Sequence, residues 1–174
     1  VAAYLWSWLY RPYLSGGAIN WTLAGLGLPT QPFMGSPAQA LWCITVMVVW
    51  MNFGGVTVLL LAGMGDVPPS LYEAAKLDGA GFWRMFFSIT LPLLRPVLVY
   101  LVVTSFISTV QMFEPFYLMP GPSNSTRTVA LFTYQLGFSS LNLGYGAALS
   151  LVIFVILLGA TVAQLQRFRA AFDQ

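Results

Sequence analysis

Three long apolar stretches, near residues 39–63, 97–118 and 144–165, are separated by segments in which glycine, proline and the few charged residues collect. Each reaches the roughly 20 residues that a helix rising about 1.5 Å per residue needs to cross a hydrocarbon layer about 30 Å thick. The pattern predicts an all-α, polytopic transmembrane helical bundle, with residues 1–174 forming part of one membrane domain. The run from Val1 to Tyr10 is apolar but too short to span, and the chain begins on Val1 rather than Met, so N-terminal helices missing from this sequence are expected. Residues 11–38 hold Gly16, Gly17, Pro29, Pro32, Gly35 and Pro37, which predicts an irregular extramembrane loop. Residues 119–143 open on Pro120-Gly121-Pro122-Ser123-Asn124 before a short helix-compatible run, Val129 to Leu136.

The segment 66–96 carries most of the charge and its own helical pattern. Ser70-Leu71-Tyr72-Glu73 after Pro68-Pro69 has the spacing of a capping box, in which serine and glutamate side chains satisfy the first backbone donors of a helix. Gly79 predicts its end, because glycine adopts the left-handed conformation that stops helices. A second amphipathic piece follows from about Ala80, with Phe82, Phe86 and Ile89 on one face and Arg84 and Ser88 turned away. Pro92 and Pro96 are expected to break that helix and redirect the chain into the second span. Such a segment suits an anchor lying in the membrane interface. The small pair Ala74-Ala75 beside Glu73 suits a second role, a surface that another protein can approach closely.

Composition narrows the class. The chain is 58% hydrophobic and 7% charged, against about 25% charged in soluble domains. Its net charge of +2 comes from dispersed basic residues, which argues against nucleic acid as a partner. Cys43 is the only cysteine and there is no histidine, so no disulfide, zinc site or haem site is expected within the chain. No nucleophile, metal cluster or carboxylate pair suggests catalysis. A phosphate-binding loop would end in Lys-Ser or Lys-Thr, and the single lysine, Lys76, stands between Ala75 and Leu77. Lys76, Arg84, Arg95, Arg167 and Arg169 fall on one side of the spans, and Arg11 and Arg127 on the other. The excess predicts that loop 66–96 and the C-terminus are cytoplasmic.

Polar positions within the spans are few. Tyr100, Thr104, Ser108, Gln111 and Glu114 fall within an arc of about 120° at 100° per residue, a candidate water-accessible face. Single Ser and Thr residues also serve as interhelical hydrogen-bonding groups. Asn52 shares a face with Thr45 on the first span, and Phe113 and Tyr117 add aromatic rings that could face a solute or simply pack. Gly144, Ala148, Val155 and Gly159 form a small-residue stripe on the last span, expected to serve close helix packing.

Glu73, Ala74, Ala75, Gly79, Ile89, Leu91 and Pro92 together resemble the EAA motif of ABC importer permeases. The form Asp78-Gly79-Ala80 with Ile89-Thr90-Leu91-Pro92 is similar to the carbohydrate-uptake group, and the likeness continues through Leu118 to the stretch from Gly144 to Ser150. The resemblance implies a type I ABC importer permease fold in a bacterial or archaeal cytoplasmic membrane. It further implies a coupling helix seated in a cytoplasmic ATPase subunit. There Glu73 would meet a basic residue, Ala74 and Ala75 would permit close packing, and Gly79 would be the elbow. The implied partners are two ATPase subunits that carry ATP and Mg²⁺, a second permease, and an external solute-binding protein reached near Pro120 to Thr126; no cofactor is implied in this chain. Pro120 stands where the family often has glycine, a departure that bears only on the flexibility of that loop; no Gly-rich tail follows the last span, and in this the chain resembles the first permease of maltose or glycerol-3-phosphate type systems. Two other readings stay open at this point: a secondary transporter driven by an ion gradient, and a membrane assembly subunit with no transport path.

Overall fold

Backbone groups in lipid must be satisfied within their own segment, so apolar runs of this length fold as helices. The computed structural model describes residues 1–172, and those residues are all-α, with no strand among them. In chain order the helices are α1 (Ala2–Leu9), α2 (Ala18–Gly25), α3 (Pro37–Gly65), α4 (Pro69–Leu77), α5 (Phe82–Met85), α6 (Leu91–Leu93), α7 (Arg95–Gln111), α8 (Glu114–Leu118), α9 (Val129–Tyr134) and α10 (Leu143–Phe172). Pro37–Gly65, Arg95–Leu118 and Leu143–Phe168 are long and apolar enough to cross a membrane, and only 11% of the most apolar window of each is buried. Most of their surface is therefore available to lipid or to other helices. The Arg95–Leu118 stretch is not one unbroken helix: α7 ends at Gln111, and Phe113 (φ −126°, ψ −30°) redirects the chain before α8. Residues 173–174, on which the cytoplasmic C-terminus was expected, and the side chain of Arg169 lie outside the described residues.

The chain divides into two compact units, Val1–Asn52 with Ser108–Ile156, and Phe53–Ile107 with the residues from Leu157 onward. In the first unit Ala3, Tyr10, Cys43, Ile44, Met47 and Met119 form the buried core, with Trp6, Phe33 and Phe116 packed on it. The Tyr10 hydroxyl donates to the Cys43 carbonyl at 3.2 Å. Burial, with nearby Cys43 adding to it, pushes the Tyr10 pKa up to about 12.

The segment expected to be an irregular loop is ordered around one amide. Asn20 on α2 is fully buried. Its Nδ2 donates to the carbonyls of Arg11 (3.1 Å) and Gln31 (2.9 Å), and its Oδ1 accepts from the Gln31 N–H (2.8 Å). Gln39 continues the network, accepting from the Phe33 N–H and donating to Gln31 Oε1, both at 2.9 Å. Gly17 lies so close to the Arg11 carbonyl that a Cβ would collide with it, which closes the turn before α2.

Later in the same unit, α10 crosses the π-turn Gln135–Ser139 backbone against backbone: a Cβ on Gly146 would lie 3.1 Å from Gly137 Cα. The close packing expected of the Gly144, Ala148, Val155 and Gly159 stripe is found at Gly146 instead. A Cβ on Gly144 or Gly159 would meet no heavy atom within 4 Å, and Ala148 and Val155 are exposed.

In the second unit Val67 and Leu94 are buried, and Gly63 of α3 admits Leu94 and Val97 so closely that a Cβ would sit 2.9 Å from a methyl of each. Pro92 does not break the chain's helical course as expected. The π-turn Phe86–Thr90 runs directly into α6, and the Leu94 N–H reaches the Thr90 carbonyl at 2.9 Å. The wider turn takes up the hydrogen-bond register that a proline, lacking an N–H, interrupts in an α-helix. The redirection falls at Leu94 (φ −79°, ψ −7°), before Pro96.

Candidate coupling segment and solute groove

The expected capping box between Ser70 and Glu73 does not form. Pro68 occupies the N-cap (φ −57°, ψ 127°) without a side-chain bond, and Pro69 is the first helical residue. Proline suits that position, since its φ is already helical and its missing N–H would have no partner there. Ser70 is therefore inside the helix, and Glu73 is left exposed beside exposed Ala74, Lys76 and Asp78.

The end of α4 is built as expected of Gly79. Its φ is +75°, its N–H bonds the Lys76 carbonyl at 3.0 Å, and the Ala80 N–H bonds the Ala75 carbonyl at 2.9 Å. That pair of bonds is a Schellman motif, which satisfies the last carbonyls and turns the chain sharply. A Cβ on Gly79 would meet no atom within 4 Å, so the demand for glycine is conformational. One side chain ties α4 to the following turn: Tyr72 Oη and Thr90 Oγ1 share a hydrogen bond at 2.8 Å, with Thr90 buried. Ala75, Ala80, Ile89, Leu91 and Pro92 are half-buried. Leu77 at the tip is 90% exposed, and Phe82, Trp83 and Phe87 form an exposed ring cluster with Trp83 stacked on Phe87 at 6.2 Å. The segment thus has a tied inner side and an exposed outer side of small, charged and aromatic residues.

Two of the polar positions of the spans bond the backbone of their own helix. Asn52 donates to the Val48 carbonyl of its own helix at 2.8 Å, and Thr104 to the Tyr100 carbonyl at 2.7 Å. Tyr100 is exposed, and Ser108 also has a partner. Because α7 ends at Gln111, Glu114 leaves the predicted arc and opens α8, where its carboxylate suits the positive end of a helix.

Gln111 and Tyr117 do come to a common region, within the first unit. Gln111 and Phe113 line a cavity of about 240 Å³ together with Thr133 of α9 and Ser150 of α10. An adjoining cavity of about 450 Å³ is lined by the same Thr133 and Ser150, with Tyr134, Phe138 and Gly146. Tyr134 organises the rings, stacked on Phe113 at 4.8 Å and 19°, with Tyr117 edge-on at 5.5 Å and Phe138 at 5.2 Å. The Thr133 and Ser150 hydroxyls donate to the Val129 and Gly146 carbonyls, both at 2.9 Å, which leaves acceptor capacity on each oxygen. Thr133, Tyr134 and Ser150 were not singled out from sequence. The available signal was their place in the short run 129–136 and at the end of the Gly144 to Ser150 stretch.

The family described as binding-protein-dependent transport system inner membrane component matches residues 2–170. The trehalose/maltose transport system permease protein MalF of Thermococcus litoralis is 37% identical over 97% of this chain and 58% of its own length. The diacetylchitobiose uptake system permease protein DasB of Streptomyces coelicolor is 35% identical over 95% of this chain and 51% of its own. The chain thus spans just over half the length of these relatives. Among solved structures, a bacterial ABC transporter involved in the import of the acidic polysaccharide alginate superposes with a TM-score of 0.89 and 25% identity, over 97% of this chain and 59% of that one. Matched along nearly all its length, this helical, membrane-spanning chain belongs to the family of binding-protein-dependent transport system inner membrane components.

Proposed function

We propose that the chain is a translocation subunit of an ATP-driven importer for a sugar or sugar-like solute, coupled to a separate ATPase through residues Glu73 to Pro92. The observation that carries the reading is the form of that segment. It is a helix closed by a Schellman turn at Gly79, with Glu73, Ala74 and Asp78 turned outward and Tyr72 tied inward to Thr90. A partner closing on α4 pushes on a short rigid rod. The Tyr72 to Thr90 bond passes the displacement to the π-turn, and the seat of Leu94 and Val97 on Gly63 passes it to α3 and α7. Glu73 engages a basic group of the partner, Ala74 and Ala75 let the two backbones come close, and Gly79 fixes the elbow; Asp78, Ala80, Ile89, Leu91 and Pro92 frame it. ATP and Mg²⁺ belong to two cytoplasmic ATPase subunits, and a second permease completes the pathway.

The named relatives carry trehalose/maltose and diacetylchitobiose, which supports the sugar class. A structure of an alginate importer in complex with a periplasmic protein supports an external solute-binding partner. The excess of basic residues around 66–96 supports a cytoplasmic location for that segment and for the C-terminus. Ala74→Asp tests the docking assignment. ATP-dependent uptake is expected to vanish while the protein remains in the membrane at its normal level by immunoblot, and undiminished uptake would remove the assignment.

A further inference from the structure

We propose that residues 11–36 and the first turns of α3 form an interfacial anchor, with Trp21 and Trp42 seated in a phospholipid leaflet where the headgroups meet the acyl chains. The inference goes beyond the importer reading and does not depend on it; it needs only that α3 crosses the membrane.

The level of the anchor follows from helix length. Helix α3 has 29 residues, about 43 Å at 1.5 Å per residue, against a hydrocarbon layer of about 30 Å. Shared between the two ends, the surplus is about 7 Å at each. Gln39 then falls among the headgroups, and Trp42, about 7 Å along the helix, at their border with the hydrocarbon. Gln39 donates to the Gln31 side chain, and Gln31 is bonded to Asn20 through both its N–H and its carbonyl, which holds α2 at the level of the first turn of α3. The fold itself therefore brings Trp21, the neighbour of Asn20, to the membrane surface.

What this segment turns outward fits lipid. It is polar inside and apolar outside, the reverse of a loop in water: Asn20 is buried, whereas Trp21 is 68% and Trp42 70% exposed, and Leu14 and Leu26 are more exposed still. Such a surface marks a contact with a membrane or a protein. Arg11 is the only charged side chain between Val1 and Gly65, whereas a soluble stretch holds about 25% charged residues. Arg11 is exposed, its carbonyl is held by Asn20, and its guanidinium suits lipid phosphate. Tryptophan concentrates at membrane–water interfaces, because the ring is apolar while its N–H still reaches polar groups. Helices that pack against one another in a membrane do so through small residues, and two projecting indoles hold a neighbour off. A protein outside the membrane does not reach Trp42, which lies in the second turn of the span.

The test uses the full-length protein, purified with the subunits that accompany it and reconstituted into vesicles of phosphatidylethanolamine and phosphatidylglycerol. Trp21→Cys and Trp42→Cys, made separately, carry a bimane label; Cys43 is buried, and the labelled parent protein gives its background. Three quenchers are compared: phospholipid with a nitroxide near the glycerol end of the acyl chain, phospholipid with a nitroxide near the methyl end, and aqueous iodide. Both labels are expected to lose most of their fluorescence to the glycerol-end nitroxide and much less to the other two. Quenching chiefly by iodide would place the segment in water, and quenching chiefly by the methyl-end nitroxide would place it deep in the hydrocarbon; either result overturns the inference. Labels that none of the quenchers reaches would mean that another helix or an external protein covers the surface, which overturns it as well. Leu14→Cys, exposed in the same segment, carries the same test if a tryptophan variant fails to accumulate.

Discussion

The segments 11–36 and 66–94 each carry the chain between helices, yet they dispose of their polar groups in opposite ways. In the first, Asn20, Gln31 and Gln39 turn inward and satisfy one another and the surrounding backbone. In the second, Glu73, Lys76 and Asp78 stay outside, and a single side-chain bond, Tyr72 to Thr90, ties the helix down. A segment that satisfies its own groups needs no partner to hold its shape. One that leaves charges, small residues and Leu77 on the surface, while fixing its backbone with a Schellman turn, has the shape without the contacts.

If that contrast is right, damage to the first segment should appear as lost stability and damage to the second as lost coupling. The largest effect is expected from Asn20→Leu, which strands two carbonyls and one N–H in a buried site. With about 1 kcal/mol or more for each such group, roughly 3 kcal/mol of stability should go, seen as a lower thermal midpoint in detergent and reduced accumulation in membranes. Tyr72→Phe leaves the buried Thr90 hydroxyl without its partner and should cost about 1 kcal/mol. Its mark is ATP hydrolysed per solute imported, which should rise; an unchanged ratio would argue against the Tyr72 route. Gly79→Ala forces a Cβ into φ +75° for a similar cost of about 1 kcal/mol, and Gly79→Asn should recover most of the lost transport because asparagine tolerates that conformation. The smallest effect belongs to Ser70→Ala. Since Ser70 caps nothing, the change should fall well under the roughly 1 kcal/mol of a true N-cap, and a full loss of that size would restore the capping box.

The sequence made the three spans legible because hydropathy over some 20 residues has little competition from other signals. Gly79 was legible for the same kind of reason: one residue type dominates one backbone conformation. The capping box failed because two start signals overlapped, and Pro69 set the helix start ahead of Ser70. Helix α2 was hidden among glycines and prolines, since what orders it is the tertiary network of Asn20 rather than local propensity. The polar arc through Glu114 assumed a continuous helix and passed over Pro115, whose missing N–H cannot bond the Gln111 carbonyl, so that α7 ends there and a new helix opens beyond Phe113. The groove was half visible. Gln111, Phe113 and Tyr117 come from one stretch, whereas Thr133 and Ser150 arrive from two later helices that only the fold brings together.

The π-turn at Phe86–Thr90 has a consequence for how such a chain can be altered. A turn of this kind holds about one residue more than an α-helical turn, so removing a residue there would leave an ordinary helix and swing everything beyond it by about 100°. The turn therefore sets the angular phase between the aromatic face of α5 and the first residues of α7, much as the tooth count of a gear sets the alignment of two shafts. Within residues 86–90 length is held more tightly than side-chain identity, with Thr90, bonded to Tyr72, held by both.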